Sequence, residues 1–332
     1  MVGIGGNLLV VLSVLCNKKM RTSMTNLLIT NLAVADLLIM VLGIPEIVEF
    51  MRNLGWTLGL VTCKINRFVL VSALYGSILT LVAISVERYI AIIQPIKAHI
   101  LCNKRRLAVV LGCVWPLSWT AALPTALFNS LHHSGPDSIQ FCMLRFPANH
   151  DKTFLVFKYT ESVLFYYIPM CVQIVLYTII SKHLFTGTDR LYRRVHVRDM
   201  HGMSVERVSD ALNARRGVVK MLILSVFVYF VSYSPHQILL IYNTVSPTSF
   251  HENWSSLVFT MIIAYVNSAA NPVLYSIFSQ NFRQCYRQFI LRLVGVRTAE
   301  RKIPNHPPSQ HTTHGSPRIW RHMSSITAST NV

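Results

Sequence analysis

Five acidic residues of this chain stand inside long apolar stretches: Asp36, Glu46, Glu49, Glu87 and Glu161. A carboxylate in such surroundings is unfavourable unless paired, hydrated or ligated, so each marks a place where charge is used. Asp36 lies in the middle of its stretch. Glu46, Glu49 and Glu161 lie toward one end of theirs, where like charges in an apolar vestibule attract a cationic group. The competing reading is internal pairing, Glu46 or Glu49 with Arg67 and Glu161 with Lys158. Glu87 adjoins Arg88 and Tyr89 at the opposite end, and an acid beside an arginine can hold it in one state and release it in another. Asn271-Pro272-Val273-Leu274-Tyr275 closes the last apolar stretch. Its proline removes a backbone donor and bends a helix, which frees Tyr275 to swing inward. Bond-making chemistry is missing: the sequence holds no nucleotide loop, no metal-ligand cluster and no nucleophile–His–acid set. An enzyme is not expected.

The elements that position these residues follow from composition. Hydrophobic residues make up 52% of the 332 and charged residues 13%, half the charge of a soluble domain. Mean hydropathy is +0.43. These values exclude a disordered chain and leave too little polar surface to coat a soluble enzyme. The net charge of +18 suits either a nucleic-acid binder or a membrane protein with basic loops, and the placement of the charges decides. Seven apolar runs are predicted to span a bilayer as helices: Met1–Cys16, Asn26–Phe50, Cys63–Ile93, Leu107–Phe128, Thr153–Leu184, Val218–Val245 and Leu257–Phe278. Only helices satisfy their own backbone in hydrocarbon, and they tolerate the internal Pro45, Pro124, Pro169, Pro235 and Pro272. The first run would reach about 24 Å at 1.5 Å per residue, short of a core of about 30 Å. The chain is therefore expected to lack its natural start.

Twenty-five of the 31 Lys and Arg residues fall on one side of these spans. The other side holds six, Arg52, Lys64, Arg67, Arg145, Lys152 and Lys158. The positive-inside rule then predicts a cytoplasmic C-terminus and an extracellular N-terminus, with the excess charge facing lipid and protein rather than nucleic acid. Of seven cysteines, Cys63 and Cys142 fall at the oxidising face, and a disulfide between them is the economical reading; two unpaired thiols are the alternative. Gln280–Leu293 is predicted to be an amphipathic helix lying on the membrane, with Phe282, Tyr286, Phe289 and Ile290 on one face. Its Cys285 suits palmitoylation or a plain apolar contact. The loop from Thr186 to Asn213 lacks a long apolar run and is expected to be mobile. Asn253-Trp254-Ser255 is a glycosylation sequon. Residues 1–293 read as one membrane domain, and 294–332, rich in His, Pro, Ser and Thr, as a disordered cytoplasmic tail.

In chain order, the spans carry Gly6-Asn7, Leu32-Ala33-Val34-Ala35-Asp36, Cys63, Glu87-Arg88-Tyr89, Trp115, Pro169, Tyr177, Pro235 and Asn271-Pro272 to Tyr275. With these anchors the chain resembles the rhodopsin-like (class A) G-protein-coupled receptors over nearly its whole length. Within them it is most similar to the neuropeptide branch and thyrotropin-releasing-hormone receptors, through ERYIAIIQPIKAHILC at 87–102, FYYIPM at 165–170 and the region 250–283. The resemblance implies an all-α membrane protein of the plasma membrane, a seven-transmembrane helix bundle with a short amphipathic eighth helix. It implies an extracellular peptide ligand, a heterotrimeric G protein, by family habit on the phospholipase C pathway, and arrestin docking on a tail phosphorylated at Ser324, Ser325, Thr327, Ser329 and Thr330.

It also assigns residues. Val71, Tyr75, His236 and Met261 fall at hormone-contacting positions, and Gln237 and Tyr265 face the same cavity, beside Glu46, Glu49, Arg67 and Glu161. The polar and basic side chains that grip the tripeptide hormone are largely absent. Asp36, Ser77, Asn267, Ser268 and Asn271 fall at the family's sodium positions, where oxygen ligands suit a hard cation; the alternative is a hydrogen-bond network with Asp36 protonated. No other cofactor is expected. The expected switch and coupling residues are Glu87, Arg88, Tyr89, Pro95, Ile96, Tyr177, Tyr233, Pro235, Pro272 and Tyr275, with Ile78, Pro169 and Tyr229 as a core triplet. The sixth span departs from the family's Cys-Trp-x-Pro, reading Ser232-Tyr233-Ser234-Pro235. Arg215 stands where some relatives place an acid to lock Arg88. Leu70 replaces the aspartate of amine receptors, and Tyr265 the lysine that binds retinal in opsins. Two rival readings share the fold: a constitutively active orphan receptor, and a receptor for a small molecule or lipid.

Overall fold

The computed structural model describes residues 2–18, 20–52, 54–101, 103–134, 139–196, 203–245 and 254–293, apart from the side chains of 185–215 and some at element ends. The tail from 294, the sequon at Asn253, Cys102 and the Arg215 side chain lie outside the described residues. Helix α1 covers Val2–Cys16, followed by a 3₁₀ turn at Met20–Thr22, α2 at Met24–Met51 and α3 at Gly59–Ile93. Next come a short α4 at Pro95–Leu101 and α5 at Lys104–Phe128. Strands β1, Asn129–Ser134, and β2, Ile139–Leu144, form an antiparallel hairpin. Helix α6, His150–Ser162, runs through a π turn at Val163–Tyr167 into α7, Ile168–His196. Then come α8 at Met203–Val245, α9 at Trp254–Phe278 and α10 at Gln280–Leu293.

Helices α2, α3, α5, α6 with α7, α8 and α9 are each long and apolar enough to cross a membrane. The apolar α1, 15 residues long, packs on α2 and α9 and completes the seven. Exposed Leu117, Trp119, Leu123 and Leu127 on α5, and Ile174, Val175 and Phe227 elsewhere, show a surface built for lipid. Between helices in lipid there is no hydrophobic drive, so close packing and polar clamps hold the bundle. Asn7 Nδ2 donates to the carbonyls of Gly3 and Ser268, both at 2.9 Å, tying α1 to α9. Trp115 Nε1 donates to Asn31 Oδ1 at 3.0 Å, and Asn31 Nδ2 donates to Thr80 Oγ1 at 2.8 Å. That chain ties α5, α2 and α3.

Two expectations change. Helix α7 continues to His196 and α8 begins at Met203, so most of the expected 186–213 loop is helical. A helix leaving the bilayer no longer needs an apolar run, and low hydropathy there is not a loop signal. The β hairpin was not expected at all. It is fixed by the Cys63–Cys142 disulfide and by Trp56, whose backbone N–H donates to the Gln140 carbonyl at 2.6 Å. Gly55 has φ +67°, and a Cβ there would strike that same carbonyl, so the left-handed glycine admits the hairpin. At the other end, Cys285 Sγ lies 3.1 Å from Met20 Sδ, turned toward the 3₁₀ turn.

Tyr265 of α9 lies in a notch over Gly43 of α2, where an added Cβ would collide with the ring and its hydroxyl. Overpacking of this kind costs about 1–3 kcal/mol. Gly43→Ala is expected to lower the midpoint of thermal inactivation of the purified receptor, and Tyr265→Leu in the same chain to recover it.

Candidate functional site

Two cavities open toward the hairpin end of the bundle. The deeper, about 310 Å³, lies among α3, the α6–α7 π turn, α8 and α9. The shallower, about 480 Å³, is walled by α2, α3, β2 and α9. They share Leu257, Met261 and Tyr265. Helical spacing explains the lining. On α3, Arg67, Val71, Leu74, Tyr75 and Ile78 recur every three or four residues, as do Lys158, Glu161, Ser162 and Phe165 on the fifth span, so each set shares a face. Val71, Tyr75, Glu161, His236 and Gln237 line the deep cavity, Glu46, Glu49 and Arg67 the shallow one, and Met261 and Tyr265 both. All ten residues singled out for ligand contact thus come together.

The charges are not bare. Arg67 Nη2 lies 2.5 Å from Glu46 Oε1, and Asn66 Nδ2 donates to Glu46 Oε2 at 2.8 Å. Lys158 Nζ lies 2.8 Å from Glu161 Oε2, and the Tyr75 hydroxyl sits beside that carboxylate. Internal pairing, left open by the sequence, is what Glu46 and Glu161 adopt. Among the described residues Glu49 has no ion-pair partner, so the shallow cavity keeps an unbalanced carboxylate. Below, the Tyr75 ring stacks on Phe165 with centroids 3.8 Å apart and planes 10° apart. Phe165 and Tyr166 also line the deep cavity. Sequence reading did not single them out for ligand contact, because nothing in the apolar run signals the π turn that aims them.

At mid-bundle Asp36 is wholly buried. Asn271 Nδ2 donates to its Oδ2 at 2.8 Å and Ser77 Oγ to its Oδ1 at 3.4 Å. Ser268 Oγ lies beside it but makes no well-formed hydrogen bond, and Asn267 Oδ1 is buried without a partner. A carboxyl oxygen among under-used neutral oxygens is a donor set that fits a hard monovalent cation.

At the α10 end, Arg88 Nε meets Glu87 Oε2 at 2.6 Å. Thr25 Oγ1 of α2 donates to Glu87 Oε2 at 3.1 Å and accepts from Arg88 Nη2. Thr25 therefore clasps the pair, a role with no signal in the sequence. Tyr177 and Ser85 hydroxyls bond at 3.1 Å between α7 and α3. Tyr275 is buried and stacked on Phe282 of α10, centroids 5.4 Å apart. Tyr233, one turn below His236, tilts against Tyr229 at 5.0 Å, and Pro235 lies within α8. Pro272 packs where a Cβ on Gly6 would reach it. Tyr89 is half-buried against the core. Pro95 opens α4, and Ile96 beside it is 84% exposed, an apolar knob on that face.

Seven spans, a disulfide-tethered hairpin over a cavity, a buried acid at mid-bundle and a clasped arginine at the far end define a membrane receptor of the seven-helix class. Comparison with known families agrees, since the profile for the 7 transmembrane receptor (rhodopsin family) matches residues 6–275. The chain belongs to that family and is a multi-pass plasma-membrane receptor, not an enzyme. It is 33% identical to Neuropeptide receptor 15 of Caenorhabditis elegans over 300 residues, covering 87% of this chain and 86% of that one. It is 31% identical to the Homo sapiens Thyrotropin-releasing hormone receptor over 301 residues, 86% of this chain and 74% of the relative. Neuromedin-U receptor 1 of Mus musculus is 30% identical over 328 residues, 93% of this chain and 74% of the relative.

A hydrogen bond to a charged group contributes about 1.5–3 kcal/mol. Thr25→Val, which keeps the shape and removes the clasp, is expected to raise agonist-independent nucleotide exchange on a co-expressed G protein roughly tenfold.

Proposed function

We propose that this receptor binds an extracellular peptide bearing a cationic group and transmits the event to a G protein by an outward swing of the sixth span, α8. The observation that carries the reading is the pair of adjoining cavities, with the unbalanced Glu49 carboxylate in the shallow one and aromatic side chains lining the deep one. A peptide end fits that division: an apolar or aromatic terminus below, and an Arg, Lys or amine above. The neuropeptide and peptide-hormone names of the relatives support a peptide over a lipid.

In this reading the hairpin end faces outside and the α10 end faces the cytoplasm, in keeping with the basic excess on the latter side. The mechanism is a population shift. The peptide prefers the state in which α8 hinges near Pro235, Arg88 leaves Glu87 and Thr25, and Tyr275 leaves Phe282 and turns inward. The cleft so opened takes the end of a G-protein α subunit beside Pro95 and Ile96, with phospholipase C as the effector. Phosphates on the serine- and threonine-rich tail then recruit arrestin. Asp36, Ser77, Asn267, Ser268 and Asn271 would hold a sodium ion that favours the closed state.

A library of basic peptides screened by calcium release is expected to yield agonists. Glu49→Lys should weaken those with a cationic residue at least tenfold and spare neutral ones; unchanged potency throughout would remove Glu49 from the ligand site. Sodium is expected to lower agonist affinity in the parent and to have no effect in Asp36→Asn. A parent insensitive to sodium would refute the ion site.

A further inference from the structure

The fifth span carries a widened turn and a proline in quick succession. In the π turn the Ile168 N–H donates to the Val163 carbonyl, five residues back instead of four. The next residue, Pro169, has no N–H to donate. The Phe165 carbonyl, four residues upstream of that proline, therefore lacks the donor that an α-helical turn would supply. A carbonyl without a donor is strongly unfavourable away from water, and a span offers no water to repair it.

The repair comes from the neighbouring span. The Tyr229 hydroxyl donates to the Phe165 carbonyl at 2.5 Å. Tyr229 is 2% exposed and wedged among the rings of Tyr166, Phe230 and Tyr233, so it is held in this pose. A second cross-link lies a turn higher, where the Tyr166 and Ser234 hydroxyls meet at 2.8 Å. Both links grip the stretch of α8 that leads into Pro235.

We propose that Tyr229 is a positioning residue: its hydroxyl latches α8 to the carbonyl that the π turn and Pro169 expose on the fifth span, and thereby sets how much receptor rests closed. The bond is short and directional, so a swing of the lower half of α8 away from the bundle breaks it and strands both groups. The same Phe165 stacks on Tyr75 in the deep cavity. A ligand that parts that stack moves the residue whose carbonyl holds the latch, which joins cavity to hinge in one step. The latch rests on the α8 swing proposed above but not on the identity of the ligand.

Tyr229→Phe removes the hydroxyl and keeps the ring. At matched surface level it is expected to raise agonist-independent nucleotide exchange roughly two- to tenfold. Pro169→Ala returns an N–H within reach of the Phe165 carbonyl, so it should shift basal exchange the same way, and Tyr229→Phe should add little in that background. The population itself is read in the full chain in nanodiscs, with spin labels at Arg106→Cys and Lys220→Cys after Cys16, Cys102, Cys113, Cys171 and Cys285, the cysteines outside the Cys63–Cys142 disulfide, are changed to serine. A larger long-distance fraction in Tyr229→Phe than in the parent is the expected result, and it decides the matter even if the Pro169 variant does not reach the surface. Equal distance distributions, basal exchange at or below the parent, or a full effect of Tyr229→Phe in the Pro169→Ala background would each overturn the latch. Labels that separate in no variant, with or without active peptide, would overturn the swing instead.

Discussion

Inside a hydrocarbon slab a polar group can be satisfied only by another part of the protein, because water is not there to do it. Most of the bundle's specific geometry follows from that shortage. Asn7, Asn31, Thr80 and Trp115 pair across helices and fix which spans are neighbours. Glu46 takes Arg67, Glu161 takes Lys158, and Glu87 takes Arg88 with Thr25. Asp36 is the incomplete case, with neighbouring oxygens that lack full partners of their own. A soluble core would tolerate few of these groups; here they are the adhesive, since apolar contacts alone do not distinguish helix from lipid.

The same shortage makes polar pairs into switches. A pair that must be broken before a helix can move sets the energy gap between two packings, and each pair contributes only about 1–3 kcal/mol net. Populations of a few per cent in the second packing are then natural, and modest ligand preferences suffice to reverse them. In the proposed mechanism this control is distributed along the bundle axis, from the paired acids at the cavities, through Asp36, to Arg88.

The fold was legible because span length, basic asymmetry and the placement of prolines are coarse signals that survive without coordinates. The ten cavity residues were legible because helical spacing puts them on common faces and the family resemblance says which face. Pairing was not: whether Glu46 meets Arg67 or a ligand depends on rotamers, which the sequence does not order. The hairpin escaped because its strands are short and Gly135-Pro136-Asp137, between them in sequence, reads as plain loop. Thr25 escaped because one threonine at a helix start has several bland uses. The π turn at 163–167 escaped because one extra residue per turn leaves the apolar run looking the same.

Gly43 and Tyr265 carry a consequence for descent. The ring that fills the glycine notch is also part of the wall shared by the two cavities, so a change in this pair moves the boundary between subsites. Enlarging residue 43 first passes through a crowded intermediate, whereas shrinking residue 265 first leaves only a void. The order of substitution is therefore constrained as well as the outcome, and lineages that shift their ligand preference through this wall should have altered position 265 before position 43.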